Sequence, residues 1–425
     1  APHGRGNLPL KPAGPVDEDE QETACRRGRP AAAPVACADE EGTMDIKRIL
    51  REMIERGASD LHLKVASPPV LRVNGTLTMI DQPAPSVQDM VAVAQQILTP
   101  SQRELFESTR EIDFAFGVPG LARFRANFYV QRGSIAMVFR HVPTEIRTIE
   151  DLSLPPVTRE LALKKRGLIL VTGTVGSGKS TTLASMVDII NTECASHVIT
   201  IEDPIEFLHK DRCSIVSQRE VGGDTGSYSE ALKHILRQDP DVILIGEIRD
   251  ADSMKVALTA ADTGHLVLST MHTIDATQTV SRIISFFPPH QHQEIRFLLA
   301  STLQAVISQR LVADAGGSRR YPAVEILIST STIKEYIADP EKTTLIRQAI
   351  QEGFVQYQMQ TFDQSLMQLY REKKISLDAA MQASSSPHEL SLRIKGIQGS
   401  SDTTWDRFEK DDQPQTSVMD EISQT

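Results

Sequence analysis

The stretch GTVGSGKS, Gly173 to Ser180, spaces its glycines so that backbone N–H groups can turn inward around a phosphate. It follows the apolar run LILVT and opens the helical pattern TTLASMVDIIN, so a helix dipole would add its favourable field for an anion. Lys179 is expected to reach the β- and γ-phosphates of ATP and Ser180 to hold Mg²⁺. Gly173, Gly176, Ser177, Gly178 and Thr181 complete the expected nucleotide-binding loop. Further on, VILIGEIRD brings Glu247 to the carboxyl end of a strand, where it can meet Mg²⁺ through water. ITIEDPIEF clusters Glu202, Asp203 and Glu206, and one of these is the candidate base for an attacking water.

Two histidines, His265 and His272, bracket the apolar run in TGHLVLSTMHT. Seven residues of extended strand span roughly 23 Å, and an odd offset points the two rings to opposite faces. A shared metal is therefore not expected. His272 sits at the carboxyl end, where an imidazole can contact a γ-phosphate or the carboxylates.

These side chains need a scaffold. From about residue 151, short apolar runs (GLILVTG, HVITIED, DVILIGE, HLVLST) alternate with helical patterns. Strands buried on both faces read this way, which predicts an α/β domain with a parallel sheet covered by helices. After Phe286-Phe287-Pro288-Pro289 the pattern predicts mostly helix to about residue 395. Upstream, MDIKRILREMIERG sets Ile46, Ile49, Leu50, Met53 and Ile54 on one helical face, with Gly57 as the stop. Asn74-Gly75 within VLRVNGTLTMI predicts a hairpin, and a helix is expected near 87–98. In ARFRANFYV, Phe124 and Phe128 point one way, Arg123 and Arg125 the other. The expected organisation is a tail over 1–43, a small α+β domain over 44–142, a linker over 143–150, the α/β domain over 151–395 and a second tail over 396–425. Both tails are polar or rich in Pro, Ala and Gly, and read as disordered.

The chain of 425 residues carries 45 Lys and Arg against 56 Asp and Glu, a net charge of −11. That balance argues against nucleic acid as a partner, and so against a DNA-handling motor. The intact carboxylates argue against a subunit that binds ATP and leaves hydrolysis to a partner. Cys25, Cys37, Cys194 and Cys213 form no C-x-x-C pair, so a structural zinc is not expected and a reducing compartment fits. No apolar run approaches the ~20 residues of a membrane span, and the first residues lack the apolar core of a secretory signal.

The phosphate loop, TIEDPIEF, VILIGEIRD and TGHLVLSTMHT, in this order, resemble the Walker A, Asp-box, Walker B and His-box motifs of the secretion ATPase superfamily. ASDLHL, RVNG, ARFRANF and QREVG resemble its type IV pilus twitching-motility branch, over about residues 44–395. The resemblance implies a PAS-like N-terminal domain, a RecA-like P-loop ATPase domain and a homohexamer. It implies ATP-driven pilus retraction on the cytoplasmic side of the inner membrane, against a platform protein of the PilC kind. By residue, it makes Glu206 the catalytic glutamate, Glu247 the Walker B carboxylate, and His265 and His272 the His-box pair. Such ATPases bring N-domain arginines over the triphosphate, for which Arg123, Arg125 and Arg140 are the candidates, with Arg282 as an inter-subunit contact. Without a tetracysteine insertion or a long extra N-terminal domain, retraction is expected rather than assembly. Where retraction ATPases carry AIRNLI, this chain reads TIKEYI, Thr332 to Ile337, so an accessory PilU-like role is the alternative.

Overall fold

The computed structural model describes residues 44–395 except 74, 315, 317 and 318, so both expected tails and Asn74 lie outside the described residues. The N-terminal part holds β1 (Asp60–Lys64), β2 (Ser67–Val73), β3 (Thr76–Met79), β4 (Glu111–Val118), β5 (Ala122–Gln131) and β6 (Ser134–Val142). They form one antiparallel sheet in the order β3-β2-β1-β6-β5-β4. Val73 pairs with Thr76 across a tight turn in which Gly75 has φ +84°. Three helices, α1 (Ile46–Glu55), α2 (Val87–Ile97) and α3 (Pro100–Thr109), pack on one face of the sheet.

Each helix starts at a side-chain cap. Asp45 accepts from the N–H groups of Lys47 and Arg48, and Ser86/Asp89 and Thr99/Gln102 form capping boxes. Ile46, Ile49, Leu50 and Met53 of α1 are buried as the helical period requires. They meet Leu61, Leu63, Phe124, Phe128 and Phe139, and each such side chain contributes about 1.5–3 kcal/mol by leaving water. The other sheet face is polar: register aligns Arg72, Asp60, Arg140 and Arg125 in one row across four strands.

The second sheet comprises β7 (Gly167–Thr172), β8 (His197–Glu202), β9 (Ile215–Glu220), β10 (Val242–Ile245), β11 (Leu266–Met271), β12 (Leu303–Ala313) and β13 (Arg320–Ile328). Its order is β13-β12-β7-β11-β10-β8-β9, parallel throughout except for β12 with β13. The remaining helices are α4 (Val157–Ala162), α5 (Lys179–Glu193), α6 (Tyr228–Ile235), α7 (Ala251–Asp262), α8 (Ala276–Ser285), α9 (His292–Thr302), α10 (Ser331–Ala338), α11 (Ile346–Glu352), α12 (Phe354–Tyr357), α13 (Phe362–Arg371), α14 (Leu377–Ala383) and α15 (Pro387–Ile394). In β7, Leu168 and Leu170 enter one core and Ile169 and Val171 the other, so both faces are covered.

One expectation is incomplete. The region after Pro289 is mostly helical, as expected, but two strands, β12 and β13, interrupt the helices and extend the sheet beside β7. Helix α9 runs directly into β12 at Leu303, with no glycine or proline to mark the change. The strand reads as the other central ones do: Val306 faces one core, Ala305 and Ile307 the other.

Candidate active site

The phosphate loop joins the end of β7 to the start of α5. Gly173 has φ +143°, and a Cβ there would lie 2.5 Å from the Gln309 carbonyl oxygen and from Ser177 Oγ, so only glycine fits. Gly176 and Gly178 also adopt positive φ, and Gly178 is the N-cap of α5. Lys179, buried, curls back so that its Nζ donates to the carbonyls of Gly173 and Thr174, each at 3.0 Å. Burial pushes this ammonium's pKa down, while the carboxylates of Glu247 and Glu206 pull it up.

Beside the loop lies a cleft of about 200 Å³. It is lined by Gly176, Lys179, Ser180, Glu202, Asp203, Glu206, Glu247 and His272, so the carboxyl ends of β8, β10 and β11 converge on one cleft. Glu247 Oε1 accepts from His272 Nε2 at 3.1 Å and Oε2 from Arg249 Nη2 at 2.7 Å. Burial alone would raise its pKa, but the Arg249 bond and the charges of His272 and Arg249 hold it below the ordinary glutamate value.

The three Asp-box carboxylates differ in surroundings. Burial raises the pKa of Glu202, which accepts from Thr200 Oγ1 at 2.7 Å, from Gln218 Nε2 at 3.1 Å and from the Glu206 backbone. Asp203 and Glu206 are exposed at the cleft, and among the described residues the Glu206 carboxylate has no hydrogen-bond partner. A group that must take a proton from water needs such an open position; Glu202 is already occupied.

Other expected residues lie apart. His265 precedes β11, whose neighbour Leu266 pairs with Gly167, whereas the loop follows Thr172 at the other end of β7. Six residues of strand separate the two, about 20 Å, and His265 Nδ1 instead bonds the Ala260 carbonyl at 3.0 Å. Within its own chain, His265 therefore lies away from the cleft, because the strand carries it to the opposite end of the sheet. Thr181 lies on the other side of α5's first turn, in a depression with Thr182, Gln309 and Arg147. Arg282 stands 5.1 Å over the Phe286 ring, in a third depression beyond the Glu247–His272 pair.

The N-terminal arginines are held variously. Arg140 Nε bonds Asp60 Oδ1 at 2.7 Å, and Arg123 Nη2 bonds Glu220 Oε2 at 3.1 Å. Arg125 has no polar partner among the described residues. Sequence reasoning missed Arg249, Tyr228 and the knitting role of Gln218, which donates to Glu202 and to the Phe207 carbonyl and accepts from His209 N–H. Tyr228 lines the cleft close against Gly246, where a Cβ would come within 2.8 Å of its hydroxyl, and burial and the nearby carboxylates push the phenol's pKa up. Arg249 lies two residues beyond Glu247, a spacing that could have flagged the pair; a contact made between strands, as by Gln218, leaves no such trace.

Residues 38–406 match the family model described as type II/IV secretion system protein. The chain belongs to that family. Within it, this PilT-like secretion ATPase is 43% identical over 347 residues to the type IV pilus retraction ATPase PilT of Pseudomonas aeruginosa, covering 82% of this chain and all of the relative. It is 39% identical over 355 residues to the type IV pilus ATPase PilU of the same organism, covering 83% and 92%. The crystal structure of the pilus retraction motor PilT with bound ADP superposes with a TM-score of 0.76 at 44% identity, covering 82% of this chain and 99% of the other. The observed two-sheet α/β architecture is the one expected for this family.

Proposed function

We propose that this chain is an ATP-hydrolysing motor that drives type IV pilus retraction. The observation that carries the reading is the convergence of Lys179, Ser180, Glu206 and Glu247 on one cleft at the carboxyl edge of the parallel sheet. Identity to PilT over nearly all of that relative's length supports the pilus assignment.

In this reading the triphosphate enters the cleft along the loop of Gly173, Gly176, Ser177 and Gly178, and its anionic end meets the N-terminus of α5. Lys179 leaves the carbonyls of Gly173 and Thr174 for the β- and γ-phosphates. The nucleoside end lies toward Thr181 and the depression with Gln309. The Ser180 hydroxyl and Glu247 carboxylate are hard oxygen donors in one cleft, and that donor set fits Mg²⁺. Once bound, Mg²⁺ would neutralise developing phosphate charge. His272 and Arg249 keep Glu247 ionised and oriented. Glu206 takes a proton from the attacking water, which displaces ADP and leaves inorganic phosphate. Arg125, without a polar partner among the described residues, is the arginine available to reach a triphosphate when the N-terminal sheet closes down. Arg140 is held by Asp60 and Arg123 by Glu220, while Arg282 and His265 face surfaces open to a neighbouring copy in a homohexamer.

No described helix is long and apolar enough to cross a membrane. By likeness to the pilus retraction ATPase, the reading gives the motor a peripheral place at the cytoplasmic side of the inner membrane, against a PilC-like platform protein. An accessory PilU-like role is the second reading. The observation that favours it is Lys334 and Glu335 in α10, where Glu335 is drawn into an ion pair with Lys342; identity to PilU is 39%, against 43% to PilT. Phosphate release by the purified chain tests the hydrolysis. Lys179→Ala is expected to lower kcat by at least ~100-fold, and turnover at the wild-type rate in that variant would contradict the assignment.

A further inference from the structure

Glu220 closes β9 and is buried, outside the cleft lined by the residues above. One of its carboxylate oxygens, Oε2, accepts two bonds. The first comes from the Ile205 backbone N–H at 3.2 Å, the residue next to Glu206. The second comes from Arg123 Nη2 at 3.1 Å, from strand β5 of the N-terminal sheet. The backbone around Glu220 is tied down on both sides: its own N–H donates to Asp224 Oδ2 at 2.8 Å, and the next N–H donates to the Glu202 carbonyl at 2.9 Å. The carboxylate is thus a fixed point. Arg123 Nε is buried without a partner, so the guanidinium depends on Glu220.

We propose that Glu220 is a positioning residue for hydrolysis, whose single carboxylate oxygen couples the N-terminal sheet, through Arg123, to the turn that carries Glu206. A charged acceptor binds an N–H about twice as strongly as a neutral one, so the charge on Glu220 holds the turn as well as the arginine. Movement of the N-terminal sheet then pulls on one oxygen and shifts the neighbour of the base. Arg123 is reassigned by this geometry from the triphosphate to the Asp-box turn. The inference rests on the reading of Glu206 as the base.

The test uses the full-length chain, with steady-state ATP turnover and direct binding of a fluorescent ATP analogue. Glu220→Gln keeps an oxygen for Ile205 N–H and loses the charge facing Arg123. It is expected to lower kcat about tenfold while the analogue's Kd stays within about twofold, and Arg123→Gln should do the same. The double variant should be no slower than the slower single, because both remove one coupling. Arg123, the more exposed partner, supplies the same readout if Glu220→Gln does not fold. Unchanged kcat in the single variants, or losses that multiply in the double, would overturn the proposal. So would an Arg123→Gln chain that binds the analogue weakly and turns over normally when saturated, since Arg123 would then touch the triphosphate. If Glu206→Gln itself turns over like wild type, the base assignment fails and this inference with it. If Glu206→Gln is slow and Glu220→Gln is not, the inference fails alone.

Discussion

At the residue scale, the cleft separates carboxylates by what surrounds them. Glu247 is held by His272 and Arg249, Glu202 by Thr200 and Gln218, and Glu206 stands open. Four acidic groups, with Asp203 also exposed at the cleft, would repel a phosphate if all were free, and Glu247 and Glu202 are engaged by neighbours. Glu206→Gln should therefore bind the ATP analogue within a few-fold of wild type and lose ~100-fold or more in kcat. Rapid-quench measurement of a single turnover checks this, and a fast chemical step in the variant would move the base to Asp203 or Glu202. The phosphate loop, Glu247 and His272 were legible because each lies in a short stretch whose spacing carries the chemistry. Which of Glu202, Asp203 and Glu206 stays open was not, because Gln218, which occupies Glu202, reaches it from the neighbouring strand.

At the scale of elements, the central strands and the N-terminal helices were legible from period and caps, as in α1 with Asp45 and its buried Ile46, Ile49, Leu50 and Met53. Strands β12 and β13 were not, since α9 passes into β12 with no punctuation and a short apolar run serves helix or strand equally. These late strands carry a further buried charge. Glu325 of β13 accepts from the backbone N–H of Ala276, the first residue of α8, at 2.8 Å. Burial, with Asp275 nearby, lifts its pKa from the ordinary 4.5 to about 7, against the bond from Ala276 and the opposing pull of Arg310 and Arg347. The folded chain then keeps this proton to higher pH than the unfolded chain does. Its contribution to stability is full below the ordinary value and declines as pH rises toward about 7. Glu325→Gln keeps an acceptor for Ala276 and should flatten that part of the decline. Denaturation midpoints compared at about pH 5 and about pH 8 check it; a variant whose midpoint falls as steeply as wild type would contradict the burial argument.

At the scale of the whole molecule, a motor needs its nucleotide cleft to be mechanically joined to a second body. The polar face of the N-terminal sheet carries Arg72, Asp60, Arg140 and Arg125 in one row, and Arg123 reaches across to Glu220 behind the Asp-box turn. Phosphate loss in the cleft can therefore be felt by the sheet through a short chain of bonds. The sequence shows Arg123 and Arg125 on one face of β5, while the pairing of Arg123 with Glu220, and of Arg140 of β6 with Asp60, exists only once the strands and sheets meet. The central claim is that hydrolysis at this cleft retracts a pilus. Its most direct test is twitching and pilus retraction in a strain lacking its retraction ATPase, complemented with this chain or with its Glu206→Gln form. Rescue by the wild-type chain and none by the variant is the predicted result. Equal rescue by both, or no rescue by a wild-type chain that hydrolyses ATP in the test tube, would contradict it.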